Sequence, residues 1–243
     1  MPRLWAARAV FSRLASGRFK VPPSLLTRRS APHSSVQAAP RPSARRGNPE
    51  VRGERWLIVG LGNPGSDYSA NRHNAGFLVA DVLAARIGDG FRRNRQRLLA
   101  ASGKLAGHAV TVAKPMSYMN LSGGPVASFA TYHKIPAEQI IVVHDEIDLP
   151  FGSIRLKCGG GDAGHNGIKS VASALRTTEF NRVRIGVGRP PGRRIAADHV
   201  LGDFSKTERK ELPLLIDRAA DAVEALIDLG LAAAQNEFHT TPG

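Results

Sequence analysis

The chain has 243 residues, 42% of them hydrophobic and 22% charged, which excludes a wholly disordered, collagen-like or coiled-coil protein. No apolar run reaches the roughly 18 residues that a membrane-spanning helix needs, and the one cysteine, Cys158, allows neither an internal disulfide nor a cysteine-based zinc site. The net charge of +14 is uneven: residues 1–54 hold 11 Lys and Arg against 2 Asp and Glu, and the remainder holds 23 against 18.

Residues 1–54 read as an N-terminal extension outside the fold. Met1 to Pro49 contains no acidic residue and seven of the sixteen prolines, so it buries too little apolar surface to offset its ordering entropy and is expected to be disordered. An Arg-rich, acid-free stretch with Leu4, Ala7, Phe11 and Leu14 on one helical face suits a mitochondrial or plastid transit peptide. Translation of GC-rich DNA upstream of a true start near Val51 gives the same composition. The second reading is carried forward, with a cytoplasmic location.

Residues 55–236 read as one α/β domain. Trp56 to Val59 is a short apolar run that suits a buried strand, and a glycine-rich turn follows. Helical spacing of Phe77, Leu78, Leu83 and Ile87 predicts a helix over Asn74 to Ile87, stopped by Gly88. The order repeats: strand Ala109 to Ala113, helix Gly123 to His133, strand Ile140 to Val143, strand Ile154 to Lys157, helix Gly167 to Leu175, then alternating Val183, Ile185 and Val187. Ser205 and Glu208 form a capping box for a last helix reaching Gly230, with Leu212, Leu215, Ala219, Val223, Leu226 and Ile227 as its apolar stripe and a kink or broken turn expected at Pro213. Residues 237–243 are expected to be a tail. Alternation of this kind predicts a mixed, mostly parallel twisted sheet flanked by helices.

Gly60, Gly62 and Gly65 match the G-x-G-x-x-G dinucleotide fingerprint, with Asp81 about 20 residues on. Pro64 disfavours helix at Asn63, however, and Asp81 falls within a helix rather than at a strand end, so the match reads as coincidental. Four loops at the C-terminal ends of strands carry polar groups instead: Asn63 with Tyr68, Arg72, His73 and Asn74; Met119 with Asn120; His144 to Asp148; and His165 with Asn166. Open α/β sheets place ligands there.

Ile58 to Gly65 (IVGLGNPG), Arg72 to Gly76 (RHNAG), Met119 to Gly123 (MNLSG), His144 to Pro150 (HDEIDLP), Lys157 to Gly167 (KCGGGDAGHNG) and Arg182 to Gly188 (RVRIGVG) resemble the bacterial-type peptidyl-tRNA hydrolase family in order and spacing. The resemblance covers nearly all of residues 56 to about 236. It implies cleavage of the ester joining a stalled peptide to the 3′ end of tRNA, recycling tRNA from aborted translation, without metal or cofactor, by a monomer. Residue by residue, it makes His73 the general base, Asp145 its orienting carboxylate, and Asn166 the amide nearest the reacting water and oxyanion. Asn63 and Asn120 become substrate-holding amides, with Tyr68 and Met119 in the cleft and Lys157 and Arg184 directed toward tRNA phosphates. The chemistry is coherent, because an imidazole titrating near pH ~6.5 is available as a base at neutrality and an adjacent carboxylate fixes its tautomer.

Other roles for these segments stand beside this one. His144 to Asp148 lacks usual metal-ligand spacing, so His144 and Glu146 read as structural or solvent-facing. Gly159 to Gly161 reads as a mobile lid or binding loop, with a plain turn as the alternative. The Arg92, Arg93, Arg95, Arg97 cluster reads as a solvated face, with tRNA contact as the minority option. Two rival functions are a same-fold relative recruited to RNA splicing and a nicotinamide-dependent enzyme.

Overall fold

The computed structural model describes residues 55–190 and 195–239. The expectations for the N-terminal extension fall outside the described residues. The first apolar run forms β1 (Arg55–Gly60), followed by α1 (Ala75–Arg86), β2 (Arg92–Arg93), β3 (Leu98–Leu105) and β4 (His108–Pro115). Then come α2 (Gly123–His133), β5 (Ile140–Glu146), β6 (Ile154–Cys158), α3 (Asn166–Leu175) and β7 (Asn181–Gly186). The short α4 (Ala196–Val200), long α5 (Glu208–Leu229) and α6 (Leu231–Phe238) complete the chain.

The seven strands form one mixed sheet in the order β2-β3-β4-β1-β5-β7-β6. Its centre, β4-β1-β5-β7, is parallel, and β2, β3 and β6 join antiparallel at the flanks. The continuous apolar runs of β1 and β5 suit this centre, because a parallel strand is covered on both faces. On one face Val79 and Leu83 of α1 and Val223 and Leu226 of α5 pack with Ile58, Val112, Val143 and Ile185. On the other, Val126 and Phe129 of α2 and Ile168 and Val171 of α3 pack with Leu57, Val59 and Val142.

The glycine match after β1 has a steric explanation. A Cβ on Gly60 would lie 2.2 Å from the carbonyl oxygen of Gly76, and one on Gly76 would lie 2.3 Å from the carbonyl oxygen of Val143. Two bare backbones therefore touch where α1 begins, and this contact seats the start of α1 directly on β1 and β5.

Several features differ from the sequence expectations, among them the following. Strand β3 was not foreseen: Ala100, Ala101 and Gly103 dilute its apolar signal, but it pairs with β4 along its full length through the tight turn at Ala106 and Gly107, both at positive φ. The Ser205–Glu208 capping box is present, with Ser205 N donating to Glu208 Oε2 at 2.6 Å and Glu208 N to Ser205 Oγ at 3.2 Å, yet α5 continues through Pro213 without breaking. The chain also does not end its structure at 236, since α6 continues past it and buries Phe238. There Gln235 Nε2 donates to Leu156 O at 3.0 Å and Leu156 N donates to His239 Nε2 at 2.8 Å, along the outer side of β6.

Candidate active site

A cavity of about 500 Å³ opens at the C-terminal ends of β1 and β5. Four loops meet there as the strand-end pattern predicts, and several of their polar side chains are individually fixed. The loop after β1 is pinned by Asn74, whose Oδ1 accepts from Asn63 N at 2.9 Å while its Nδ2 donates to Asn63 O at 3.0 Å. Asn63 Oδ1 in turn accepts from Met119 N at 2.8 Å, which leaves the amide nitrogen of Asn63 for the cavity. Asn74 is thus a positioning residue that the sequence reading noted without assigning it a role.

His73 lies in a single 3-10 turn (Arg72–Asn74) at the foot of α1, where the Gly60–Gly76 contact brings it over β5. Its Nδ1 lies 2.9 Å from Asp145 Oδ1 and 3.1 Å from Oδ2, although 72 residues separate the two. β5 runs to Glu146 rather than stopping at Val143, so Asp145 is a strand residue, 1% exposed. Burial opposes ionisation of Asp145, but its interactions with His165 and His73 together outweigh it and hold the carboxyl well below the usual carboxylate range.

His165 was named beside Asn166 among the strand-end polar groups of the sequence, but without a role of its own. Its Nε2 lies 3.0 Å from Asp145 Oδ1, and its Nδ1 accepts from Gly167 N at 3.1 Å and Ile168 N at 3.3 Å, capping α3. An Nδ1 that accepts two amide hydrogens carries no proton, so the proton sits on Nε2 and is donated to Asp145. His73 by contrast has a hydrogen-bond partner only at Nδ1 among the described residues, leaving Nε2 without one at the cavity.

The remaining candidates divide. Tyr68, Met119, Asn120 and Asn166 all line the cavity, and the side-chain amides of Asn120 and Asn166 make no hydrogen bond within the described residues. Lys157 and Arg184 do not line it; they lie on β6 and β7, where Arg184 Nη2 meets Glu146 Oε2 at 2.9 Å. Glu146 is buried at the cavity wall, so a solvent-facing role does not hold for it, while His144 is buried and structural, with Nδ1 2.7 Å from Asp145 O. The glycine loop is tied down by Arg182, 2% exposed, which donates to the carbonyls of Gly159, Gly160 and Gly161. Ala196, Ala197, Val200 and Leu201 of α4 and its end, with Ile147, add an apolar wall that the sequence did not announce. Asp81 sits on α1, paired with Lys114 and outside the cavity lining, where a nucleotide ribose would find no use for it.

His73, Asp145 and His165 present ligand atoms within 4.8 Å of one another, close enough to surround a cation. The hydrogen-bonding pattern does not fit one. A cation at His165 Nε2 would displace the only proton of a ring whose Nδ1 is already an acceptor, requiring an imidazolate or loss of the α3 cap.

A profile described as peptidyl-tRNA hydrolase matches residues 57–242. The chain is 56% identical over 184 residues to the peptidyl-tRNA hydrolase of Frankia casuarinae, covering 76% of this chain and 93% of that protein. It is 58% identical over 186 residues to the one from Nocardia farcinica, covering 75% and 95%. The crystal structure of peptidyl-tRNA hydrolase from Acinetobacter baumannii superposes with a TM-score of 0.71 at 38% identity, over 76% of this chain and 95% of that one. With this much of each relative covered at such identity, the chain belongs to the peptidyl-tRNA hydrolase family.

Proposed function

We propose that the cleft hydrolyses the ester joining a peptide, or an N-blocked amino acid, to the 3′ end of tRNA, with His73 as general base and Asp145 as its orienting carboxylate. The observation that carries this reading is the His73 Nδ1–Asp145 contact of 2.9 Å at a cavity where His73 Nε2 stays uncommitted. Nε2 takes a proton from water as the oxygen attacks the ester carbonyl, and ionised Asp145 steadies the imidazolium. The Asn166 amide donates to the developing oxyanion, a role in which removing one donor costs about 2.7–4 kcal/mol. Collapse of the tetrahedral intermediate breaks the bond to the ribose oxygen, which recovers the proton from His73. Water is the nucleophile, so no Ser or Cys needs activation.

Asn63 and Asn120 hold the substrate through amides that donate and accept without changing charge. Tyr68 and Met119 line the same cleft, and the apolar wall formed with α4 receives peptide side chains of varied kind. Lys157 and Arg184 face the tRNA phosphates, making binding salt-sensitive. The reaction runs on one protomer in the cytoplasm.

The test is hydrolysis of an N-blocked aminoacyl-tRNA by the wild type and by His73→Ala, with chelator present. Turnover that survives chelation and collapses in the variant is the expected result. Binding of tRNA without release of the amino acid would replace the enzyme with an RNA-binding relative of the same fold.

A further inference from the structure

Four arginines, Arg92, Arg93, Arg95 and Arg97, lie within six residues, and the proposed reaction uses none of them. Arg92 pairs with Asp89 at 2.9 Å. Arg93, Arg95 and Arg97 are exposed and make no ion pair among the described residues. Like charges held this close repel one another, a cost that an anionic partner removes.

Their position favours one partner. The register Arg93↔Leu99 and Leu98↔Pro115 puts the β2–β3 connection at the end of the sheet where β4 stops and the cavity opens. Met116 N donates to Arg97 O at 2.9 Å, three residues before Met119 in the cavity wall. The connection is also a shaped turn: Asn94 Oδ1 accepts from Gln96 N at 3.1 Å and from Leu98 N at 3.0 Å, and Arg97 adopts φ 60. The guanidiniums therefore project from a defined backbone. Two or three strand spacings separate this tip from β1, or about 10–15 Å. Lys157 and Arg184 lie on the opposite flank, on β6 and β7. Basic groups thus stand toward both edges of the sheet, with Arg184 already paired to Glu146.

We propose that the β2–β3 tip is a second phosphate-binding surface for the tRNA body, in which Arg93, Arg95 and Arg97 contact backbone phosphates while the 3′ end enters the cleft. The proposal rests on the substrate assigned above and adds a second place where that substrate is held. A protein partner with an acidic surface is the competing occupant.

The experiment compares the wild type with R93Q/R95Q/R97Q and with R93K/R95K/R97K. Binding of uncharged tRNA is followed by fluorescence anisotropy from low to moderate salt, and KM and kcat are measured on N-blocked aminoacyl-tRNA and on the same ester carried by a CCA trinucleotide. The Gln variant is expected to bind tRNA at least about 5-fold more weakly at low salt, with a log–log salt slope shallower by about 0.7–0.9 for each phosphate no longer neutralised. Its KM for the full tRNA rises in step, kcat and the trinucleotide reaction stay unchanged, and the Lys variant keeps most of the affinity. Unchanged tRNA affinity and slope overturn the proposal and leave an acidic protein as the occupant. Equal impairment on the trinucleotide overturns it too, placing the effect inside the cleft. Failure of the wild type to hydrolyse either ester defeats the proposed function, whereas the anisotropy comparison still decides the role of the tip.

Discussion

His165 Nε2 lies 3.0 Å from Asp145 Oδ1, the same oxygen that His73 Nδ1 reaches at 2.9 Å. One buried carboxylate orders two imidazoles, but only His73 keeps a ring nitrogen free for chemistry. Replacing His73 by Ala should lower kcat by about 10²–10⁴-fold, the range for losing a positioned base. His165→Ala should cost less in kcat and also about 1 kcal/mol of stability, because the cap on α3 goes with it. Single-turnover rates and urea midpoints for both variants check this. Equal loss of kcat in the two would mean that the base has been misassigned.

Arg72, beside His73, ties the His73 turn to the segment after α4. Its Nη1 donates to the carbonyls of Gly202 at 3.2 Å and Asp203 at 2.7 Å, and its Nη2 meets Glu208 at 2.7 Å. The His73 turn and the end of α4 are thereby one unit. Arg72→Gln should lose about 1.5–3 kcal/mol for the charged hydrogen bonds and lower kcat/KM as the base and the wall separate. Urea denaturation with steady-state kinetics measures both. Stability lost without any change in kcat/KM would show that the link is purely structural.

Acid should weaken the fold through His144. Its burial, with His165 adding to the effect, pushes the imidazole well below 6.5, so the folded state keeps it neutral. The unfolded chain takes up a proton below about pH 6.5 and the folded one does not, so this stability is present above that pH and is lost as the pH falls. A His144→Leu variant should show a smaller fall in Tm than the wild type when the pH drops from slightly alkaline to mildly acidic. The same fall in both would remove His144 as its source.

Gly76→Ala should be among the most damaging single-methyl changes in the molecule. The added carbon meets the carbonyl of Val143 and the backbone of Leu61, neither of which can turn aside. Overpacking of this kind costs about 1–3 kcal/mol, and here it also lifts His73 away from Asp145. A lower urea midpoint together with reduced kcat is expected. A variant as stable and active as the wild type would show that α1 can slide without cost.

The sequence made most of the sheet legible because β1 and β5 are unbroken apolar runs and α5 carries a regular stripe with a capping box. β3 was hidden by small residues, since Ala100, Ala101 and Gly103 carry little periodic signal and the strand is specified by its partner β4. The short α4 was hidden for a similar reason: five residues cannot show a period, and its value lies in what it faces. At the site, motif order singled out His73, Asp145 and the three asparagines, and the structure gathers all five around one cavity. His165 and Arg182 were missed as contributors because their work is done on backbone amides and carbonyls, and composition is silent about that. The glycines after β1 mimicked a nucleotide signature for a steric reason, the close passage of α1.

β6 ends the sheet, and an end strand offers its free amides and carbonyls to any passing strand. The C-terminal helix answers both groups of Leu156, through Gln235 and His239. Burial and the nearby Arg155 hold the His239 imidazole below 6.5, which keeps its Nε2 available as an acceptor. The last turn of α6 therefore covers part of the free edge of β6, and a protein cut back to residue 230 would expose that edge as a template for strand-to-strand association between molecules.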